Sequence, residues 1–298
     1  MGEFKDIAGR LHETLNKLIP KYVKRANTDG EKDMRATEQI AKHHIAINFP
    51  EFFIAEQSVD EVVPLEIPPI IQPGAEPMVH ILAASYFPYV SVSYASMIRR
   101  LKEEPEERML GLLEEFFAGR TSRRDRASRA WEHGQPCTFE IVGNFGIFRD
   151  LHRHRILTQQ RQLLNPHLGF TLPEDIKAIG MAGEVWALVA EVQNVYEKLA
   201  RDIHPEIAQY CVLFGHHIRF MMGFSLREAQ HFLELRTVPQ GHPDYRRICQ
   251  KMTTSIFERA PWVRNINLLK FVDYQDYPWA RAAAEARQSQ KLLEKGLV

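Results

Sequence analysis

The 298 residues are enough for one large domain or two smaller ones, and a 45% hydrophobic, 26% charged composition is that of an ordinary globular protein. Lys+Arg and Asp+Glu both number 38, so the formal charge is zero, which argues against binding a nucleic-acid polymer through net charge and leaves room only for a local basic pocket. No apolar run is long enough to span a membrane, so no membrane partner is expected. The charged, amphipathic N-terminal run lacks the apolar stretch of a secretory signal, and Met1-Gly2 is followed by Lys5 and Asp6 where a myristoylation site needs Ser or Thr. Cys137, Cys211 and Cys249 are odd in number and widely spaced, without a CxxC pair, which fits buried thiols in a reducing cytoplasm.

In chain order, Phe4, Ile7, Leu11, Leu15, Leu18, Ile19 and Tyr22 recur at helical spacing over residues 4–27, and a second helix is predicted from Asp33 to Ile47. The stretch Val62–Pro77 holds Pro64, Pro68, Pro69, Pro73 and Pro77 and little periodicity, as expected of an extended linker. This divides the chain into a helical extension (1–60), a Pro-rich linker (61–77) and a main domain (78–298). Met78–Tyr86 (MVHILAASY) reads as a strand. Helical periodicity follows through Tyr94, Met97, Ile98 and Leu101, and again from Pro105 to Ala118, where proline at the start costs no hydrogen bond. An Arg-rich stretch (Arg120, Arg123, Arg124, Arg126, Arg129) precedes Cys137–Val142, which alternates like a strand. Arg153-His154-Arg155 then reads as one helix turn.

Thr171-Leu-Pro-Glu174 has the pattern of a capping box, ahead of a continuous apolar face from Ile176 to about residue 202 that His204-Pro205 stops. Tyr210–Phe214 and Ile218–Phe224 read as short strands. Ser225 is placed to cap a helix through Arg236, and further helices are predicted over Asp244–Phe257 and Trp279–Lys295. The whole is α+β, a small, mostly antiparallel sheet flanked by long helices, without the regular rhythm of a doubly wound fold.

The Arg153-His154-Arg155 triplet carries the chemistry. A guanidinium grips phosphate in two places and stacks on rings, and an imidazole adds a switchable donor, so the cluster suits a large, planar, anionic ligand. A solvated basic face is the plain alternative. The many histidines show no HExxH or comparable spacing, and His152 and His154, two apart, point different ways on a helix, so no metal site is expected. GxSxG, GxGxxG and GxxxxGK[ST] are absent, so any nucleotide must be held by side chains rather than by a Gly-rich loop.

Glu132-His133, then Thr138-Phe-Glu-Ile141, then Arg153-His154-Arg155, and later Phe232-Leu-Glu-Leu-Arg236 together resemble the flavin-dependent thymidylate synthases. The order and spacing match over roughly residues 78 to 275, with residues 1–77 outside. The resemblance implies a homotetramer holding FAD between subunits. It also implies reductive methylation of dUMP (or a related nucleotide) to dTMP, with methylenetetrahydrofolate as carbon donor, NADPH as electron source and no nucleophilic cysteine. On it, Arg153, His154, Arg155, Glu132, Arg227, Ser225 and His231 align with flavin contacts. Asp150, Arg161, Gln209 and Arg236 align with the nucleotide site, and Arg236 carries the catalytic role.

Departures cluster on the nucleotide side. Leu163 stands where the family has Ser, Asn165-Pro166 where it has Arg-Tyr, Arg161 where it has an acidic residue, Asp150 where it has Gln, and Gln209 where it has Arg. Ser225 and His231 replace two flavin-facing Asn residues. Two guanidiniums for the nucleotide phosphate are therefore missing. Weak dUMP binding is expected, with a different pyrimidine-like substrate or a non-catalytic flavin-binding or structural paralogue as alternatives.

Overall fold

The computed structural model describes residues 2–20, 23, 30–54, 56, 65, 67–134, 137–277 and 280–294. The chain forms two compact units. The first comprises residues 1–135, 225–235 and 253–272, and the second 136–224, 236–252 and 273–298.

The first unit is helical. It holds α1 (Gly2–Leu18), α2 (Gly30–Asn48), α3 (Glu76–Tyr86), α4 (Tyr94–Leu101) and α5 (Glu106–Ala118). The expected amphipathic helices at the N-terminus are present, but the stripe of α1 faces solvent, with Ile7, Leu11 and Leu18 all more than half exposed. The predicted stripe's Tyr22, and residues 61–64 and 66 of the expected linker, lie outside the described residues.

Helix α3 is the centre of this unit and corrects the strand expected at Met78–Tyr86. Met78, Val79, Ile81, Leu82, Ala83 and Tyr86 are all buried, because α2, α4, α5 and the turn Arg129–Glu132 pack around them. A segment covered on all sides has no polar face, so periodicity cannot tell helix from strand. Leu82, Ala83 and Ala84 are good helix formers and tip the choice. Ser93 caps α4 by accepting from the Ser96 N–H, and Pro105 precedes α5 as expected.

The second unit carries a three-stranded antiparallel sheet, in the order β1-β3-β2, of β1 (Cys137–Asn144), β2 (Thr158–Arg161) and β3 (His217–Phe224). Cys137 pairs with Phe224 and Asn144 with His217 on one side of β3, and Thr158 with Gly223 on the other. The α+β class holds. Around the sheet run α6 (Phe145–Leu151), α7 (Glu174–Ala178), α8 (Ala182–Asp202) and α9 (Pro205–Ala208). Further on, α10 (Leu226–Arg236) and α11 (Pro243–Arg259) are each divided between the units, α12 (Pro261–Asn265) belongs to the first, and α13 (Ala280–Glu294) to the second.

Several expectations fail in this unit for local reasons. Tyr210–Phe214 is not a strand, because the 3-10 turn Gln209–Cys211 follows α9 directly and Tyr210 is 84% exposed. The capping box at Thr171 does not form: its hydroxyl bonds to His217 Nε2 at 2.7 Å, and Pro173 stands at the N-cap of α7 without a side-chain cap. The long apolar helix is broken at Gly180, which takes φ +81°. There the Met181 N–H reaches Ile176 O at 3.2 Å and the Gly180 N–H reaches Lys177 O at 3.0 Å, the paired bonds of a Schellman end. The face of α8 expected to be buried is largely exposed, with Val192 and Tyr196 its buried residues.

Candidate functional site

The triplet sits at the end of a short, doubly capped helix. Asn144 begins α6 by accepting from the Ile147 N–H at 2.9 Å, and its amide donates to Asp244 Oδ2 at 2.6 Å. At the other end His152 Nδ1 donates to Arg149 O at 2.7 Å, satisfying a carbonyl that the next helical turn would have used. The chain then leaves the helix. Arg153-His154-Arg155 is therefore a turn, and this corrects the helix expected from the sequence.

The change of backbone separates the three side chains. Arg153 and Arg155 face solvent while His154 is buried. His154 Nε2 accepts from Arg236 Nε at 2.9 Å, and Arg236 Nη2 donates to Asp150 O at 2.8 Å. Because Nε2 accepts, the ring proton of a neutral His154 sits on Nδ1. The Arg236 guanidinium also lies over the Tyr245 ring, 5.5 Å from its centroid. The buried Arg246 holds the chain just beyond, donating to Thr237 O at 2.9 Å and to Gln275 O at 2.8 Å. Three kinds of contact thus fix the orientation of Arg236. Asp150 itself pairs with Arg153 at 3.1 Å. The second unit therefore brings together four residues singled out from the sequence, namely Asp150, Arg153, His154 and Arg236.

The other nucleotide-side candidates are dispersed. Arg161 ends β2, exposed, and donates to Gln162 O at 3.1 Å. Gln209 donates to Glu206 O at 3.0 Å, and its buried Oε1 has no hydrogen-bond partner among the described residues. Leu163 is 45% exposed, and Asn165 is occupied within its own turn, accepting from the His167 N–H at 3.0 Å.

The remaining candidates lie in the first unit. Arg227 pairs with Glu132 and donates to Ala127 O at 2.8 Å. Ser225 caps α10 by accepting from the Glu228 N–H at 3.3 Å, as the sequence suggested. His231 lies one turn beyond Arg227 on the same helix and is half-buried. A cleft of about 400 Å³ in this unit, lined in part by Phe52, Ile54, Val92 and the Glu51–Arg100 pair, holds none of the candidates.

Sequence reasoning missed Tyr245, Asn144 and Asp244. Asn144 stands directly before the apolar-rich Phe145–Leu151, a helix-start signal that was legible; Tyr245 gave no local signal, since its role depends on meeting Arg236 across a turn.

The three cysteines do not form a reactive centre. Burial pushes the thiols of Cys137, to about 12, and Cys249 well above the ordinary range, and raises that of Cys211. Buried thiols of this kind stay protonated and inert. The exposed donors at the triplet do fit an anionic, planar group: Arg155 makes no ion pair among the described residues, and Arg153 is held by one carboxylate on a 68% exposed side chain.

No helix among the described residues is long and apolar enough to cross a membrane. The chain is 31% identical over 288 residues to a UPF0159 protein of Chlamydia muridarum, covering 96% of this chain and 53% of the relative. It is 28% identical over 293 residues to one of Chlamydia pneumoniae, covering 97% and 53%. A UPF0159 protein of Thermoplasma acidophilum is 33% identical over 217 residues, covering 72% and 43%. The chain thus spans about half the length of the curated relatives it matches. The model of the thymidylate synthase complementing proteins matches residues 82–262, more than half of the chain and the span that holds every motif described above. The chain therefore belongs to the Thy1 family of thymidylate synthase complementing proteins, the family its motifs resemble.

Proposed function

We propose that this protein is an FAD-dependent, thymidylate synthase-like enzyme with a divergent nucleotide site. The observation that carries this reading is the hydrogen bond from Arg236 to His154, which joins two motifs more than 80 residues apart in sequence within one unit. Arg153 and Arg155 would hold the flavin's phosphates and ring edge, as exposed, planar, charged donors. When bound, FAD would supply the hydride chemistry that reductive methylation needs, with NADPH as electron source and methylenetetrahydrofolate as carbon donor.

The chain's own residues have separable tasks. His154, with its Nε2 lone pair occupied by Arg236, orients that guanidinium. Arg236, with Nη2 on a backbone carbonyl and its plane on Tyr245, keeps its charge directed and stabilises developing anionic character on a bound pyrimidine. Arg227, Glu132, Ser225 and His231 of the first unit are the other residues that the family resemblance aligns with flavin contacts.

The nucleotide itself meets fewer cations than a typical family member offers. Leu163, Asn165 and Gln209 replace a hydroxyl and two guanidiniums, and the amides of Asn165 and Gln209 are already used locally. A lost charge-assisted bond costs about 1.5–3 kcal/mol, so dUMP affinity is expected to fall by roughly two to four orders of magnitude. Arg161 is exposed and free of ion pairs among the described residues, and is the one cation available nearby in sequence to compensate. These features favour a different pyrimidine-like substrate as the second reading.

The visible spectrum of the purified full chain, with and without dUMP, tests both. A flavin band perturbed by low-micromolar dUMP supports the plain thymidylate synthase reading. A flavin band indifferent to dUMP supports a different substrate. A protein that neither retains nor takes up flavin overturns the enzymatic proposal.

A further inference from the structure

We propose that Arg281, in the first turn of α13, is a specificity-determining residue of the Arg236 site and supplies a cation for the substrate's phosphate. The inference rests on the nucleotide reading above. It extends that site beyond residues 82–262, the span that matches the family. Every residue it uses lies in the second unit.

Two consecutive residues of α11 tie Arg236 to the C-terminal part of this unit. The Tyr245 ring carries the Arg236 guanidinium, 5.5 Å from its centroid. Arg246 fastens the segment Asp273–Tyr277. Its Nη2 donates to Gln275 O at 2.8 Å, and its guanidinium lies over the Tyr277 ring at 5.2 Å. One turn further along α11, Gln250 donates to Asp273 O at 2.9 Å. Thr237, the neighbour of Arg236, accepts the Asp273 N–H on its hydroxyl at 3.1 Å. A Cβ at Gly241 would lie 2.8 Å from the Tyr245 ring and 2.9 Å from Arg246 Cγ, so the glycine backbone packs directly on both side chains.

The fastened segment is also bonded along its own length. The Gln275 N–H donates to Asp273 Oδ1 at 2.8 Å, and the Tyr277 hydroxyl to Gln275 Oε1 at 2.8 Å. The Ala280 N–H reaches Tyr277 O at 3.3 Å, where α13 begins. Arg281 is the second residue of that helix.

This placement sets Arg281 beside the site. Its pKa stands above the ordinary arginine value, raised first by Glu285 and then by Tyr245 and Asp150. Asp150 is the residue whose carboxylate pairs with Arg153 and whose carbonyl holds Arg236. Three guanidiniums thus gather at one carboxylate, and their surplus positive charge suits a phosphate dianion. Asp150 stands where the family has Gln, and a carboxylate repels a nearby phosphate, so an additional cation offsets it. The one ion pair that Arg281 makes among the described residues runs from Nε to Glu285 Oε1 at 3.0 Å, with side chains 80% and 65% exposed. Such a solvated i,i+4 pair competes weakly with a phosphate.

Calorimetric titration of dUMP and of deoxyuridine into the full chain at constant ionic strength tests this, with the 31P line width of inorganic phosphate as a second probe. Arg281→Gln should weaken dUMP binding by about tenfold or more and leave deoxyuridine binding unchanged. Glu285→Gln releases Arg281 and should tighten dUMP binding several-fold, and that gain should vanish in Arg281→Gln/Glu285→Gln. Equal dUMP binding by the parent and Arg281→Gln overturns the proposal and leaves the nucleotide reading standing. A Glu285→Gln gain that persists without Arg281 overturns it too, since diffuse charge then explains the effect. Phosphate broadening that Arg281→Gln abolishes, in a chain that does not bind dUMP, supports the role of Arg281 and removes dUMP as the substrate. A parent chain that binds neither probe overturns both.

Discussion

Arg153, His154 and Arg155 show how one step of backbone geometry divides labour among neighbours. In this turn the imidazole is buried on Arg236 and both guanidiniums are left to solvent. Arg153→Ala/Arg155→Ala is therefore expected to release flavin while leaving the thermal midpoint within a few degrees, since neither side chain packs in the core; unchanged flavin occupancy would contradict the proposed role. A second residue-scale expectation concerns His216, which is fully buried and accepts from the Leu213 N–H at 3.0 Å. Burial, aided by the neighbouring His217, pushes its pKa below the ordinary histidine range. The unfolded chain takes up a proton near pH 6.5 and the folded one resists, so stability is lost as pH falls from about 6.5 toward the lowered folded value. His216→Asn keeps an acceptor for Leu213 and removes the titration. Urea denaturation from pH 7 to 5 should show a shallower loss in that variant, and identical slopes would rule the assignment out.

At the scale of elements, the buried Arg120–Glu234 pair is the most consequential contact in the first unit. Burial pushes the Glu234 carboxyl up, and the Arg120 hydrogen bond and charge draw it back. Arg120→Leu alone should cost about 3–5 kcal/mol, because a buried carboxylate is left without its partner. Adding Glu234→Leu should recover a large part of that, and a double variant less stable than the single one would refute the argument. Elements of this kind also mark the limit of reading a sequence. Helices with one clear apolar stripe or a capping residue, such as α4, α5, α10 and α11, were legible, as were β1 and β3. Helix α3 was not, because burial on every side erased its period, and β2 was not, because Thr158–Arg161 is four mostly exposed polar residues defined only by pairing with β3. The site residues were legible as motifs. Their division into inward and outward groups was not, because it depends on His152 ending α6 with its own side chain.

For the whole molecule, the open question is what covers α8. Met181, Val185, Leu188, Val192, Val195 and Leu199 follow spacings of four and three residues, an apolar stripe with the 3.5-residue period of helix pairing. Val192 is buried within its own unit, yet Leu188 and Val195 are 47% and 42% exposed, Met181 is 40% exposed, and Trp186 beside the stripe is 47% exposed. Exposed apolar area at about 25 cal/mol per Å² is a standing cost that a partner helix removes. The proposed homotetramer supplies such a partner in a second copy of the chain. Multi-angle light scattering at micromolar concentration should then give a mass several times 34.6 kDa, and near four times that value for the tetramer. Leu188→Glu/Val195→Glu places like charges at the centre of the stripe and should shift the mass toward the single chain, while circular dichroism stays unchanged because both positions face solvent within their own unit. A parent chain that scatters as a monomer would remove the tetramer from the proposal. A double variant that stays assembled would move the interface away from α8.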